Sequence, residues 1–256
     1  MESPAGVERQ FAIIAGSGFQ ALAEESEGET VQTAFGAPSS PVRIVQFGDR
    51  AVFMLARHGD ALLVPPHKIN YRANLKVLQQ LDVTDIVGLN TVGLVSTDPQ
   101  PGNLAVPDQI IDYTYGRDHS IYDGESANLD HIDFTEPLHE GLRRSLLEAS
   151  QRADVACRGG GTYAATQGPR LESAAEIDRL ERDGADYVGM TAMPEASLAM
   201  ELGMRYACLS LVVNYAAGRG ENAIHEDIEA NILSAKMQSM RVLKEFFQAV
   251  GQGVSG

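Results

Sequence analysis

Short runs of hydrophobic residues recur along the chain and are separated by glycine, proline and polar positions. Most of these runs are too short for helices and are rich in β-branched or aromatic side chains, which is typical of β-strands. The strands predicted in this way cover residues 11–14, 42–47, 51–56, 84–89, 109–113, 161–166, 186–190 and 206–213. Their hydrophobicity predicts a sheet that is largely buried.

Longer segments with helical periodicity lie between and after these strands. The predicted helices cover residues 71–81, 136–152, 172–182, 194–202 and about 226–250. Strands that alternate with helices indicate an α/β fold of three layers, with helices on both faces of the sheet. No repeat, low-complexity tract or linker divides the chain. We therefore expect a single domain over residues 11–250, with flexible ends at 1–10 and 251–256.

The charge balance restricts the partners of this chain. Its 35 acidic residues outnumber its 20 lysines and arginines, which gives a formal net charge of −15. Such a field repels phosphate backbones and anionic lipid surfaces, so no nucleic acid and no membrane is expected as a partner. An anionic small molecule would need a local cluster of hydrogen-bond donors.

The absence of certain sequence motifs predicts where the protein is located and whether its cysteines are reduced. No run of about 18 apolar residues occurs, and the first ten residues contain no hydrophobic signal core, so we expect a cytoplasmic protein. Cys157 and Cys208 lie in apolar settings outside any CxxC motif, which favours reduced, packed thiols. The six histidines show no spacing typical of metal ligands, so no metal is expected.

Glycine-rich and basic segments follow two of the predicted strands. Gly16-Ser17-Gly18 follows the first strand, where small residues let backbone amides approach an anion and the Ser17 hydroxyl adds a donor. The third glycine of a dinucleotide fingerprint is missing, so a plain tight turn is the alternative. Arg57 and His58 come at the end of the third strand. This pair suits a phosphate, and a solvated strand end is the alternative interpretation.

Three more polar positions follow predicted strands. Glu172 comes after a Gly-Pro break, and its alternative interpretation is a charge in the first turn of a helix. Thr191 offers a hydroxyl and a backbone amide to an anion. Asn214 places an amide at the exit of the strand 206–213. Ligand sites of α/β folds gather at strand ends, so these positions together predict a pocket.

The same segments, taken in order, resemble one known family. They are Gly16-Ser17-Gly18, Ala56-Arg57-His58-Gly59, Asn70-Tyr71-Arg72-Ala73-Asn74, Gln167-Gly168-Pro169-Arg170-Leu171-Glu172, Gly189-Met190-Thr191-Ala192-Met193-Pro194-Glu195 and the strand ending at Asn214. They are similar to the trimeric purine nucleoside phosphorylase and methylthioadenosine phosphorylase family, from about residue 11 to 250. The resemblance implies a twisted mixed β-sheet flanked by helices and a homotrimer. It also implies cleavage of a nucleoside's N-glycosidic bond by inorganic phosphate, with no cofactor.

The resemblance implies roles for individual residues. The groups that would hold phosphate are Ser17, Arg57, His58, Thr191 and either Asn90 or Thr91. Met190 would pack against the ribose, and Leu171 would belong to the segment that binds the substrate. His131 lies in the long polar segment 121–135 and matches a segment that a neighbouring subunit contributes to the pocket.

The hydrogen-bond donors and acceptors of two predicted site residues indicate which purine base would bind. A 6-oxopurine presents an N1–H donor and an O6 acceptor, whereas adenine presents an N6 donor and a bare N1. Ionised Glu172 only accepts, so it suits N1–H, while the Asn214 amide can donate to O6 or N7. Adenosine-type family members carry aspartates after the late strand, where this chain has Asn214 and Ala216. Hypoxanthine or guanine is therefore expected rather than adenine.

The sequence leaves the 5′ substituent of the sugar more open. His225 resembles the histidine that reaches a 5′-hydroxyl in ordinary nucleoside phosphorylases. Ile224, Ile228 and Ile232 instead favour an apolar methylthio group, as does the similarity to the methylthio branch of the family. We expect S-methyl-5′-thioinosine as substrate, with inosine and guanosine, or methylthioadenosine, as alternatives. A hydrolase on the same scaffold and an inactive nucleoside-binding protein are the alternatives from other functional classes.

Overall fold

The computed structural model describes residues 9–16, 19, 28, 31–61, 63–124 and 129–252, in which strands alternate with helices. The strands are β1 (Phe11–Ala15), β2 (Arg43–Phe47), β3 (Arg50–Ala56), β4 (Asp85–Leu94), β5 (Leu104–Val106), β6 (Gln109–Asp112), β7 (Cys157–Gly159), β8 (Thr162–Ala165), β9 (Tyr187–Gly189) and β10 (Arg205–Tyr215). The α-helices are α1 (Tyr71–Gln80), α2 (Glu140–Arg152), α3 (Ala174–Arg182), α4 (Ala192–Glu201) and α5 (Ile224–Gln252). The expected flexible ends fall mostly outside the described residues and remain a prediction.

The strands form one mixed sheet that branches at β4. The main path runs β2-β3-β1-β4-β10-β5-β7. In it, β3, β1, β4 and β10 are parallel, whereas β2 and β5 pair antiparallel with β3 and β10. The last two residues of β4, Gly93 and Leu94, pair with β9, which leads on to β8 and β6. The mixed sheet predicted from the family resemblance is confirmed.

Helices cover both faces of this sheet. Successive residues of a strand point to opposite faces, so Ile86 packs in the layer of α1 and α4, and Val87 in that of α2 and α5. The first layer also buries Leu75, and the second buries Phe246. Even α5, with 29 residues, is not apolar enough to cross a membrane, and the same holds for every helix in the described ranges. The predicted three-layer fold is confirmed.

The start of α3 is determined by its local sequence. The Ser173 side chain accepts a hydrogen bond from the Glu176 backbone, and the Glu176 side chain accepts one from the Ser173 backbone. This capping box satisfies two N–H groups that the helix itself leaves unpaired. The helix therefore begins at Ala174, after Glu172. The interpretation of Glu172 as a first-turn charge is wrong, because Glu176 is the acidic residue of the first turn.

The observed strands differ from the prediction in the number of short strands and in where two long strands end. β5 and β7, of three residues each, were missed because such short strands show no period, whereas the equally short β9 lies within the predicted strand 186–190. β4 continues five residues beyond the predicted end at residue 89, because its main chain goes on pairing with β10 and then with β9. Asn90 and Thr91 therefore lie inside a strand rather than at its end. The expectation that Asn214 follows the strand 206–213 is also wrong, because β10 continues to Tyr215 and contains it.

Both cysteines are free thiols, as the sequence predicts. Cys208 is completely buried on β10, and Cys157 is half-buried. Burial raises the pKa of the Cys208 thiol to about 11. This thiol is therefore protonated at neutral pH and packs as a small apolar group.

Candidate active site

A cavity of about 370 Å³ lies near the carboxyl ends of β1, β3, β9 and β10. This volume is within the range of small-molecule sites. Nine of the eleven predicted site residues that the structure describes line it, namely Arg57, His58, Asn90, Thr91, Leu171, Glu172, Met190, Thr191 and Asn214. Parallel strands end at the same edge of a sheet, so residues far apart in the sequence meet there.

Arg57, the first residue after β3, is completely buried and paired with an equally buried carboxylate. Its Nε and Nη2 atoms donate to the two carboxylate oxygens of Glu195, each at 2.6 Å. Nη1 and Nη2 also donate to the carbonyl oxygens of Leu89 and Ile14, at 2.8 and 3.3 Å. Arg57 thus joins β1, β3 and β4 to α4. The interpretation of this position as a solvated strand end is wrong.

The surroundings of Arg57 keep its guanidinium charged. Burial opposes the charge, but attraction to Glu195 and hydrogen bonding with it outweigh burial and raise the pKa of Arg57 above its ordinary value. The Tyr206 hydroxyl supports the pair by donating to Glu195 Oε1 at 2.7 Å. Gly16 covers the guanidinium, since a Cβ there would lie 3.2 Å from Nη1 and 2.7 Å from the Leu89 carbonyl oxygen. Only glycine allows the chain after β1 to pass this close.

His58 presents a neutral imidazole to the cavity. Its Nδ1 lies 2.9 Å from the carbonyl oxygen of Val64, so Nδ1 carries the proton and Nε2 is an acceptor. Burial, together with the positive charge of Arg57, lowers the pKa of His58 below its ordinary value. At neutral pH this side chain can therefore accept a hydrogen bond from a protonated anion.

Asn90 carries a buried donor without a partner. Its Oδ1 accepts a hydrogen bond from the Ser210 hydroxyl at 2.7 Å, whereas its Nδ2 has no hydrogen-bond partner among the described residues. An unsatisfied buried polar group costs about 1–3 kcal/mol. Thr91, the next residue, also lines the cavity but is only half-buried. Asn90 is thus the position on β4 where the structure leaves a donor for an acceptor on a ligand.

Thr191 lies in a tightly packed turn between β9 and α4. It is the N-cap residue of α4, but its side chain makes no capping hydrogen bond. Its backbone N–H lies 3.4 Å from the Tyr163 hydroxyl. Tyr163 approaches this turn across Gly189, where a Cβ would lie 2.0 Å from the hydroxyl oxygen. The packing of the tyrosine therefore positions the Thr191 hydroxyl at the cavity wall.

A β-bulge positions Asn214. The pairing of β10 with β4 shifts register between Val212 and Asn214, and such a bulge changes the direction in which a side chain points. Asn214 is buried, and its Nδ2 donates to the Tyr215 carbonyl oxygen at 2.7 Å. The second Nδ2 hydrogen and Oδ1 remain for a ligand.

Glu172 lies between two cavities. It lines the first cavity and also a second one, of about 420 Å³, beside α3. The Thr166 hydroxyl donates to Glu172 Oε1 at 2.6 Å. This hydrogen bond orients the carboxylate and leaves Oε2 as an acceptor.

Apolar side chains complete the cavity wall. Met190 packs against Gly168, where a Cβ would lie 2.5 Å from the Met190 sulfur. Ile224 and Ile228 of α5 also line the cavity. Ile232, one turn further along the helix, packs against the hydrophobic core instead.

Two predicted site residues do not line this cavity, and a third is not described by the structure. Ser17 lies outside the described residues. His225 is exposed in the first turn of α5, beside Ile224, and is absent from the cavity wall. His131 is also exposed and does not line the cavity of its own chain. Whether it reaches the site of a neighbouring subunit remains a prediction.

Sequence reasoning missed two residues that hold the site together. Glu195 is an acid within a helix whose other residues are mostly small or apolar, and a buried acid needs a cationic partner. An acid in such a helix could therefore have identified Glu195 from the sequence as the partner of a buried cation. Arg117 lies in a polar segment, and it donates to backbone carbonyl oxygens that no sequence pattern reveals.

Comparison with known proteins assigns the family. A family model described as the phosphorylase superfamily matches residues 10–248. This chain belongs to the phosphorylase superfamily. Over 245 residues this phosphorylase is 46% identical to a probable S-methyl-5′-thioinosine phosphorylase of Xylella fastidiosa (strain Temecula1), covering 94% of this chain and 98% of that protein. The family resemblance seen in the sequence motifs is confirmed.

Two further relatives differ in the activity they are named for. The phosphorylase is 42% identical over 226 residues to a 6-oxopurine nucleoside phosphorylase of Pyrococcus furiosus, covering 86% of this chain and 84% of that protein. It also superposes on a methylthioadenosine phosphorylase from Schistosoma mansoni in complex with adenine. That match has a TM-score of 0.88 and 29% identity, and it covers 96% of this chain and 92% of the other.

The buried pair of Arg57 and Glu195 predicts a large effect on stability. Arg57→Ala should lower the free energy of unfolding by about 3–5 kcal/mol, because it leaves Glu195 as an unpaired buried charge. Arg57→Met combined with Glu195→Leu should recover most of this loss. The matched control is Arg43→Ala, which breaks the ion pair with the half-exposed Asp60 and should cost about 1 kcal/mol or less. Denaturant unfolding measures all three, and equal losses for Arg57→Ala and Arg43→Ala would contradict the analysis.

Proposed function

We propose that this phosphorylase cleaves S-methyl-5′-thioinosine with inorganic phosphate, which yields hypoxanthine and 5-methylthioribose 1-phosphate. The observation that carries the proposal is one cavity wall that combines polar groups suited to an anion, a carboxylate and an amide suited to a 6-oxopurine, and two isoleucines. The relative in Xylella fastidiosa, named for this activity, supports it. Phosphate is a co-substrate, and the reaction uses no metal or other cofactor.

Phosphate would be held mainly by donors that the fold keeps rigid. The four hydrogen bonds of Arg57 leave one Nη1 hydrogen for a phosphate oxygen. The Asn90 Nδ2 and the Thr191 hydroxyl would donate to the other oxygens, and His58 Nε2 would accept from the protonated one. The unpartnered Nδ2 makes Asn90 the better candidate than Thr91. Ser17 would add a hydroxyl, as the family resemblance implies.

The base would be bound by Glu172 and Asn214. The Glu172 carboxylate, with Oε1 already occupied by the Thr166 hydroxyl, would accept N1–H of hypoxanthine through Oε2. The Nδ2 hydrogen that Asn214 does not use for Tyr215 would donate to O6 or N7. Adenine lacks N1–H, so its N1 would face the carboxylate without a hydrogen bond. This mismatch favours 6-oxopurines.

Apolar contacts support a methylthio group on the sugar. Ile224 and Ile228 line the cavity, whereas His225, the candidate ligand for a 5′-hydroxyl, is exposed outside it. A hydroxyl against isoleucine would lose hydrogen bonds to water, but a methylthio group would gain from burial. Met190 would pack against the ribose, and Leu171 would cover the base.

The chemistry would depend on positioning and charge rather than on a covalent enzyme intermediate. The bond between C1′ and the base nitrogen would break ahead of attack by a phosphate oxygen on C1′, so the sugar would carry oxocarbenium character. Phosphate would stabilise this cation, and Asn214 would donate to the base as negative charge develops on it. Donors fixed in advance in a buried site lower the barrier because they need no reorganisation.

The main alternative is a 6-oxopurine nucleoside phosphorylase that acts on inosine and guanosine. The 42% identity with the Pyrococcus furiosus enzyme of that name favours it, and it requires the same groups at the base. A methylthioadenosine phosphorylase is favoured by the structural similarity to the Schistosoma mansoni enzyme, but Glu172 and Asn214 suit adenine poorly.

We further propose that this phosphorylase is located in the cytoplasm.

Release of base from a panel of nucleosides tests the function directly. We expect phosphate-dependent release of hypoxanthine from S-methyl-5′-thioinosine, with a higher kcat/KM than for inosine, guanosine or methylthioadenosine. Chromatography of the free base, with and without phosphate, measures it. Equal release without phosphate would indicate a hydrolase, and no release from any nucleoside would indicate a binding protein. Faster cleavage of inosine would favour the main alternative.

Asn214→Asp tests the assignment of the base-binding groups. The carboxylate would face O6 of hypoxanthine, and in its protonated form it could donate to N7 of adenine. The ratio of kcat/KM for S-methyl-5′-thioinosine to that for methylthioadenosine should therefore fall by at least about tenfold, the size expected when a hydrogen bond worth about 1.5–3 kcal/mol is lost. The variant also loses the hydrogen bond to Tyr215, but a ratio does not depend on the folded fraction. An unchanged ratio would remove Asn214 from the base site.

A shared site between subunits is the last part of the proposal. We propose a homotrimer in which His131 reaches the cavity of a neighbouring subunit, because His131 is exposed and does not reach the cavity of its own chain. Sedimentation should give a trimer. Mixed oligomers of His131→Ala and Asn214→Asp should be more active than either variant alone, since some sites would then carry both native residues. A fully active monomer would contradict this proposal.

A further inference from the structure

Arg117 connects the two loops that carry the predicted base-binding and phosphate-binding groups, although it does not line the cavity itself. It lies in the segment after β6 and is partly buried. The five N–H groups of its guanidinium face six acceptor atoms at 3.2 Å or less, all in other segments of the chain, so two of the three acceptors of Nη1 share one hydrogen. None of the proposed chemistry uses this side chain.

Three of these hydrogen bonds hold the loop between β8 and α3. Nη2 donates to the carbonyl oxygens of Thr166 and Gln167, at 3.2 and 2.8 Å, and Nε donates to Gln167 Oε1 at 3.2 Å. The Thr166 hydroxyl in turn orients Glu172. Thr166 therefore links Arg117 to Glu172, the carboxylate that would bind the base.

The other three hydrogen bonds hold the neighbouring loop, between β9 and α4, and the side chain of Tyr71. Nη1 donates to the carbonyl oxygens of Met190 and Met193, at 2.8 and 2.6 Å, and these two residues flank Thr191. Nη1 also lies 3.2 Å from the Tyr71 hydroxyl, which itself donates to the carbonyl oxygen of Pro66 in the cavity wall. The guanidinium carbon lies 5.5 Å from the centre of the Tyr71 ring, which adds a cation–π contact.

A guanidinium suits this position for a physical reason. The backbone carbonyls of both loops turn toward the same point and need donors there. A planar guanidinium offers five N–H groups in fixed directions, whereas a lysine ammonium offers three on a flexible stem. One rigid group can therefore set the distance between the two loops.

We propose that Arg117 is a positioning residue of the active site, which sets Glu172 relative to Thr191 and so the base relative to phosphate. This inference rests on the proposed function. A misplacement of about 1 Å between reacting groups can cost on the order of 10²-fold in rate. Arg117 would thus affect both substrates without contacting either.

The test compares Arg117→Ala and Arg117→Lys with the wild type. We expect kcat/KM for S-methyl-5′-thioinosine to fall by about 10²-fold in Arg117→Ala, with a lower kcat and a higher KM for both nucleoside and phosphate. Arg117→Lys should recover only part of this loss, and added guanidinium ion should raise the activity of Arg117→Ala severalfold. The control is Asp118→Asn, which removes only the exposed ion pair of the next residue with Arg72 and should leave the kinetic constants unchanged.

Several outcomes would overturn the inference. Wild-type constants in Arg117→Ala, full activity in Arg117→Lys, or an equal loss in Asp118→Asn would each do so. If Arg117→Ala does not fold, Arg117→Lys keeps the charge and gives the same comparison. If the wild type cleaves no nucleoside, the proposed function fails, and calorimetric binding of hypoxanthine and of inorganic phosphate tests Arg117 separately. Arg117→Lys should then weaken both, and unchanged binding would reject the positioning role.

Discussion

The buried ion pair of Arg57 and Glu195 is the interaction on which the rest of the site depends. A guanidinium and a carboxylate that are both fully removed from water are tolerated only because each satisfies the other at 2.6 Å. The pair also ties the carbonyl oxygens of β1 and β4 to a helix of another part of the chain. The proposed anion site is therefore built on a contact that is at the same time part of the core.

Hydrogen bonds within the protein hold the polar side chains around the cavity in place. Arg57 is held by four hydrogen bonds, His58 by Val64, and Asn90 by Ser210 on the neighbouring strand. Each side chain has used part of its hydrogen-bonding capacity within the protein and retains one group for a ligand. Such groups lose little freedom when a ligand binds, which is the physical basis of preorganisation.

The long pairing of β4 with β10 brings the group suited to phosphate close to the group suited to the base. Along it the sheet contributes Asn90 in mid-strand and Asn214 at a bulge, so one strand pair carries groups suited to phosphate and to a base. Outside the sheet, Arg117 joins the loops after β8 and β9. Both this strand pair and the loops that share Arg117 as an anchor contribute residues to the cavity wall.

Much of the fold and most of the candidate site could be predicted from the sequence, because both leave patterns among residues that are close together in the chain. Periodicity identified the strands and helices that are long enough to show one, and polar residues at strand ends identified most of the cavity wall. Two of the three-residue strands, β5 and β7, and the continuation of β4 past residue 89 were missed. Pairing with distant strands decides those, and no local signal reports it.

What the sequence alone determined is the family, the three-layer architecture and the kind of chemistry the cavity can perform. Residue types and their order carry that information. Only the tertiary structure decided that Arg57 is buried against Glu195, that a bulge positions Asn214, and that Ile228 rather than His225 lines the cavity. These features depend on distances between segments that are far apart in the chain, and such distances are set when the sheet and its helices pack together.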